Sequence, residues 1–303
     1  MSGITSLGLD HTSLLGNTIS EIAWHKAGIM KRGVPCYVDP HQRPEALEVI
    51  ARRGEELGSQ TVLVPGLQDL QWPQGVAPTL GLYGEVQAHN ASLAVALTSH
   101  FLAVPGPGPS QSVVRGLERT EWPGRSQVVT MSSVQLYLDG AHTEESMMSC
   151  RHWFSHLAMA SQDAGRAKRV LIFNTTGDRE VRWLLKPLSG LQLDLVIFCT
   201  NISRQSENVD QQNFNTNYQI QLARCDTHSK VWRELDTSVP SITIPCYDQA
   251  LLSLTSGRVK ELEQLEADTM HNIPSEVTRA ETLQILVTGS LHLVGGVLGL
   301  IQR

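Results

Sequence analysis

Residues Leu138–Thr143 read LDGAHT, setting an aspartate, a glycine and a histidine between two local patterns. Before them, Ser126–Met131 and Val134–Leu138 alternate like strands. After them, Glu144–Ala160 has the spacing of a helix. In open α/β sheets ligands bind at such corners, outside the carboxyl ends of the strands. The helix start adds unpaired N–H groups and a positive dipole end, which suit an anion such as phosphate. Taken alone, Asp139 reads first as a turn or capping residue, and His142 as its neighbour.

Other residues repeat this placement. Asp10 and His11 follow the strand-like Ile4–Leu9, and His11 reads as a turn histidine or as a metal ligand. Lys26 lies beside an apolar helix face made by Ile19, Ile22, Ala23, Ala27 and Met30, where a lysine usually snorkels. Asn90, with His89, falls in the first turn of the helix Gln87–Leu102 and reads as a polar helix-start residue. Arg125 follows the Pro123–Gly124 turn and is either a solvated edge residue or a phosphate clamp. Ser290 sits between the apolar strand Leu283–Thr288 and the final helix, Leu291–Ile301, offering a hydroxyl at a helix start.

The elements that must position these residues alternate in a βαβ manner. Asn17 or Thr18 can cap the helix from Ile19 to about Lys31, and Val34–Val38 follows as a strand. Pro44 opens the helix Arg43–Leu57, which Gly58 ends, and Thr61–Val64 and Thr79–Leu82 read as further strands. Beyond the first corner come the strands Arg169–Phe173, Asp194–Cys199 and Ser241–Pro245, and the helices Val181–Leu188, Tyr218–Leu235 and Tyr247–Leu254. Such alternation predicts a mostly parallel sheet. Val104–Ser112 is rich in proline and glycine, so domains are expected at 1–105 and 118–303 around a linker, 106–117. Ser256–Glu276, with its ELEQLE run, reads as a solvated helix or insertion.

Composition narrows the class. The chain of 303 residues is 41% hydrophobic and 18% charged, enough to bury a core. Its formal net charge of −6 argues against nucleic acid and anionic membrane as main partners. The five cysteines show no metal spacing and fit a reducing compartment. No apolar run is long enough for a membrane span. No signal or transit segment precedes Ser2, and a start inside a strand is expected of the remainder of something longer.

Six stretches, in order, then carry a resemblance: LDHTSLLGNT (Leu9–Thr18), IAWHKAGI (Ile22–Ile29), TEWPGRSQ (Thr120–Gln127), YLDGAHT (Tyr137–Thr143), FNTTGDR (Phe173–Arg179) and LVTGSLHLVGGVL (Leu286–Leu298). Together they resemble folylpolyglutamate synthase of the animal type, within the muramyl-ligase group. Gly54–Pro78 and Ser203–Glu276 match in outline only. The resemblance implies an α/β protein: part of a P-loop-type ATPase domain, lacking its first strands and phosphate loop, then a complete Rossmann-like domain. It implies ATP-dependent amide ligation, in which the γ-carboxylate of a folate's glutamate becomes an acyl phosphate that free glutamate attacks.

Residue roles follow from the same resemblance. His11 would ligate Mg²⁺. Lys26 would be carbamylated, provided burial lowers its pKa, and would hold the metal or the acyl phosphate. Asn90 would contact adenine, Arg125 the ATP phosphates and Asp139 the ribose. His142 would serve the acyl phosphate or glutamate, and Ser290 the incoming glutamate. The two lobes are expected to present these groups to one nucleotide. The substrates implied are tetrahydrofolate polyglutamates and L-glutamate, with ATP and Mg²⁺, in a monomer of the cytosol or mitochondrial matrix. No Gly-x4-Gly-Lys-Ser/Thr stretch occurs among the 303 residues, so the chain alone is expected to be inactive. The alternatives are a binding or regulatory form without catalysis, and dihydrofolate synthase, which shares these motifs.

Overall fold

A computed structural model describes residues 1–103, 108–160, 165–177, 179–203, 217–262 and 271–302. It divides into two compact units, Met1–Glu121 and Trp122–Arg303. Asp178 of the FNTTGDR stretch, part of the expected linker and the ELEQLE run beyond Leu262 lie outside the described residues.

The first unit holds a three-stranded parallel sheet in the order β1 (Ser2–Ile4), β2 (Cys36–Val38) and β3 (Thr61–Leu63). Strand β1 is shorter than the predicted Ile4–Leu9. Its partner β2 ends at Val38, and Pro40 has no N–H with which to continue the ladder. The Gln42 side chain takes over instead, accepting from Leu7 N–H and donating to Thr5 C=O. A short helix, α1 (Thr12–Leu15), is not among the predicted elements, whereas α2 (Ile19–Ala27) and α3 (Pro44–Leu57) follow their sequence signals. Thr18 and Glu21 form a capping box on α2, Pro44 opens α3, and Gly58 closes it at a φ of 66°. Ile19, Ala23, Ala27, Val49 and Ile50 close the core against Val38.

Residues 79–82, predicted as a strand, form none. Gly81 N–H donates to Leu117 C=O, and a Cβ on Gly81 would lie 2.4 Å from the Thr120 carbonyl oxygen. Helix α4 (Glu85–Phe101) follows, then α5 (Gln111–Glu118), which occupies most of the stretch read as a linker. Val114 of α5 is buried with Leu67, Trp72, Ala91 and Val95, so the division falls after Glu121.

The second unit is a six-stranded sheet. Its strands are β4 (Gln127–Met131), β5 (Val134–Leu138), β6 (Lys168–Phe173), β7 (Leu195–Thr200), β8 (Ser241–Cys246) and β9 (Leu283–Thr288), in the order β4-β5-β9-β6-β7-β8. Among the described residues, only the β4–β5 pair is antiparallel. Side chains alternate between two cores. Leu136, Ile172, Ile197 and Ile285 face one, and Tyr137, Phe173, Phe198 and Leu286 the other. Covering both faces explains the unbroken apolar runs of β6, β7 and β9. Helices α6 (Glu144–Ala160), α7 (Val181–Leu185) and α8 (Tyr218–Leu235) cover the second core. Helices α9 (Tyr247–Thr255) and α11 (Leu291–Ile301) cover the first.

Within 256–276 the described residues are not all solvated. Val259, Leu262 and Ile273 are buried in the first core, joined by Val277 of the short helix α10 (Ser275–Thr278). Among the described residues, no helix is long and apolar enough to cross a membrane.

Candidate functional site

The carboxyl ends of β5, β9 and β6 carry a cluster of tightly joined loops. Gly140 N–H donates to Gly124 C=O at 2.9 Å, and Gly289 N–H donates to Ala141 C=O at 3.1 Å. Residues 124–126, 139–142 and 289–290 are thereby fastened together. Gly140 has no room for a side chain: a Cβ there would lie 2.2 Å from the Leu291 side chain and 2.9 Å from Arg125 Nη1. This close approach sets the Arg125 guanidinium against the corner.

Asp139 is the buried anchor of the cluster. Its Oδ2 accepts from Ser126 N–H at 2.8 Å and from Ser126 Oγ at 3.2 Å, while Oδ1 accepts from Ala141 N–H at 2.8 Å. Ser126 is held at a φ of 43°, a region unfavourable for a residue with a side chain, and these bonds offset that strain. Burial pushes the Asp139 carboxyl above its ordinary pKa, against the opposing pull of Ser126, Arg125 and Ala141. His142 is half-buried, with Nδ1 2.8 Å from Gly140 C=O. A neutral ring bonded this way carries its proton on Nδ1 and presents Nε2 as an acceptor. Ser290 is buried and caps α11, its Oγ accepting from His292 N–H at 3.2 Å. Arg125, Asp139, His142 and Ser290 therefore stand in one neighbourhood.

The neighbouring β6 end holds groups that the sequence reading passed over. Thr175 Oγ1 lies 3.3 Å from Nε2 of His228, which packs against Phe173 and Phe198. Burial, with a smaller push from the Arg224 charge, lowers the His228 pKa to about 3. The missed signal was its place on the inward stripe of α8 with Cys225 and Trp232.

In the first unit the predicted residues are less enclosed. His11 is exposed, adopts a φ of 53° before α1, and has Nε2 3.5 Å from Asp10 Oδ2. Lys26 is exposed on α2, so the burial expected to favour its carbamylation is not found. Asn90 is half-buried on α4 and donates to Gln87 Oε1 at 3.1 Å. One residue earlier, His89 stacks on His41, and both lie beside the buried Asp39. The signal was available in Asp39-Pro40-His41, a second acid-then-histidine sequence directly after a strand.

Comparison with known proteins agrees with this architecture. No family model matches the chain. A mitochondrial folylpolyglutamate synthase of Bos taurus is 35% identical over 366 aligned residues, covering 99% of this chain and 62% of the relative. The chain thus spans about three fifths of the length of the curated relative it matches. A crystal structure of Mycobacterium tuberculosis folylpolyglutamate synthase, complexed with ADP and AMPPCP, superposes with a TM-score of 0.66 at 21% identity, covering 99% of this chain and 63% of that one. A bifunctional folylpolyglutamate synthase/dihydrofolate synthase from Yersinia pestis, complexed with AMPPNP and a Mn ion, gives 0.62 at 19% identity, with 99% and 61% covered. These likenesses establish the fold of both units.

Proposed function

Because the chain is homologous to folylpolyglutamate synthase along nearly its whole length, we propose that its residues are those of an ATP-dependent ligase that adds glutamate to the γ-carboxylate of tetrahydrofolate polyglutamates. The observation that carries this reading is the β5–α6 corner. A buried aspartate there fastens an arginine-bearing turn to a helix start, at the carboxyl ends of parallel strands.

The chemistry asks for charge neutralisation. A folate γ-carboxylate attacks the γ-phosphorus of ATP, forming an acyl phosphate and releasing ADP. The amine of glutamate then attacks the acyl carbon, phosphate leaves, and the amine proton passes to a base. Arg125 stays charged and presents a planar fork, so it holds phosphate oxygens as their charge is redistributed. Asp139 keeps the Arg125 turn in place and offers its remaining lone pairs to a ribose hydroxyl. His142 Nε2, in acceptor form, is suited to the glutamate amine. Ser290 acts on glutamate through the helix start that its hydroxyl caps.

In the first unit, Asn90 is assigned to adenine. Asp10 and His11 fit Mg²⁺ as one carboxylate and one imidazole, with phosphate and water oxygens completing the shell. Mg²⁺ so held would offset phosphate charge. Lys26 is exposed on α2, so the burial that would favour a carbamate is not there, and we assign it instead as a basic group facing phosphate. The proposed setting is a monomer in the mitochondrial matrix or cytosol.

Titration calorimetry of the full chain with MgATP tests the reading. Binding is expected, with Arg125→Ala weakening it about 10- to 100-fold, the worth of a charged hydrogen bond. Equal binding by both proteins, or by neither, would overturn the assignment. The 303 residues contain no Gly-x4-Gly-Lys-Ser/Thr loop, so we further propose binding without turnover. Incubation with ATP, Mg²⁺, glutamate and tetrahydrofolate should give no longer polyglutamate, and dihydropteroate in place of the folate should give no dihydrofolate. Product at an ordinary enzymatic rate would refute this second point.

A further inference from the structure

We propose that Asp39, His41 and His89 form a site for a divalent transition-metal ion of the Zn²⁺ class, separate from any metal that accompanies ATP. Asp39 directly follows β2, and its N–H donates to Ile4 C=O at 3.0 Å, which fixes it at the strand end. Only 2% of the residue is exposed. Oδ1 accepts from His41 N–H at 3.0 Å and lies 2.9 Å from His41 Nδ1. Oδ2 is buried without a hydrogen-bond partner, and the nearest cationic candidate, His89 Nδ1, is 3.9 Å away, beyond hydrogen-bonding reach. A buried carboxylate oxygen left this way is costly unless something binds it.

The two imidazoles are arranged around that oxygen. Their rings stack with centroids 3.7 Å apart and planes 6° apart, so both Nδ1 atoms turn to one carboxylate. One ligand atom from each of the three residues lies within 4.8 Å of the others. Zn–N and Zn–O bonds of about 2.0–2.2 Å put tetrahedral ligands roughly 3.4 Å apart, so binding requires a movement of up to about 1.4 Å that also tilts the stacked ring planes toward the ion. His41, on the exposed side, can make it by a ring rotation. Two imidazoles and one carboxylate are borderline donors that select Zn²⁺-like ions, whereas Mg²⁺ and Ca²⁺ require mostly oxygen. Three protein ligands would leave a fourth tetrahedral position for water.

The test uses the full chain, stripped with a chelator and titrated with Zn²⁺ alone. Co²⁺ serves as a coloured probe of coordination. One site per chain is expected, with the strong visible absorption of low-coordinate Co²⁺ and a rise in Tm of several degrees. His41→Ala and His89→Gln should each weaken binding at least about 100-fold, since even outer-shell partners cost 10- to 100-fold. His152→Ala, at an exposed histidine of the second unit, should change nothing. His41→Ala removes an exposed ring and should leave the circular dichroism unaltered, which separates lost ligation from lost folding. Absence of a stoichiometric site, or one that survives both substitutions, would overturn the proposal.

Discussion

Two buried aspartates occupy the same place in two different sheets, and they are used differently. Asp139 follows β5 and Asp39 follows β2, each at the carboxyl end of a parallel strand and each with a histidine two or three residues on. Both Asp139 oxygens are taken by N–H or O–H donors from the loops they join. Asp39 has one occupied oxygen and one without a partner. A carboxylate whose lone pairs meet fixed backbone donors behaves as a clamp. One with an unclaimed oxygen and two imidazoles beside it is a ligand set. The supply of donors, not residue type or topological place, separates the two.

The comparison can be broken by substitution. Asp139→Ala removes the acceptor of the Ser126 and Ala141 N–H groups, and should cost the second unit about 2–6 kcal/mol at 1–3 kcal/mol per group. Asp39→Ala in metal-free protein should cost the first unit only about 1 kcal/mol, because it frees one N–H beside an exposed ring. Urea unfolding followed by a probe in each unit measures both, and equal losses would erase the distinction.

Acid should sharpen the contrast next. His228 belongs to the clamped region and is held neutral, with its pKa lowered to about 3. Below pH 6.5 the unfolded chain gains a proton there that the folded chain refuses until about pH 3. Stability of the second unit should therefore fall as pH drops through that window, by about 3 kcal/mol between pH 6.5 and 4. His228→Gln should remove that slope, and a slope unchanged by the substitution would locate the acid sensitivity elsewhere. The smallest effect is expected at Ser290. If its hydroxyl serves mainly as a helix cap, Ser290→Ala should lower stability by about 1 kcal/mol without weakening MgATP binding. Calorimetry of that variant checks both halves.

Much of this was legible in the sequence, for reasons tied to local rules. Thr18, Pro44 and Gly58 mark helix ends because their own side chains and backbones satisfy or terminate them. The strands β6, β7 and β9 announced themselves as apolar runs because both of their faces are covered. Where the reading failed, a distant partner decided. Residues 256–276 look solvated by charge, yet Val259, Leu262 and Ile273 complete a core formed by strands far along the chain. Residues 79–82 have strand-like content, but their hydrogen bond goes to Leu117. Lys26 sits near an apolar stripe by spacing and is exposed as a snorkelling lysine would be, so only the burial that carbamylation asked for is not found. Asp39 and His89 are brought together by a fold that no short window of sequence displays.

The position of β9 has a consequence for how the protein is made. It lies between β5 and β6, yet it is translated after β4 through β8. A nascent chain therefore emerges with the flanks of its future sheet ready and the middle missing, each flank offering a bare edge to other chains. The second unit cannot close until residue 288 has left the ribosome, so chaperone protection should be needed longest just before synthesis of this region ends.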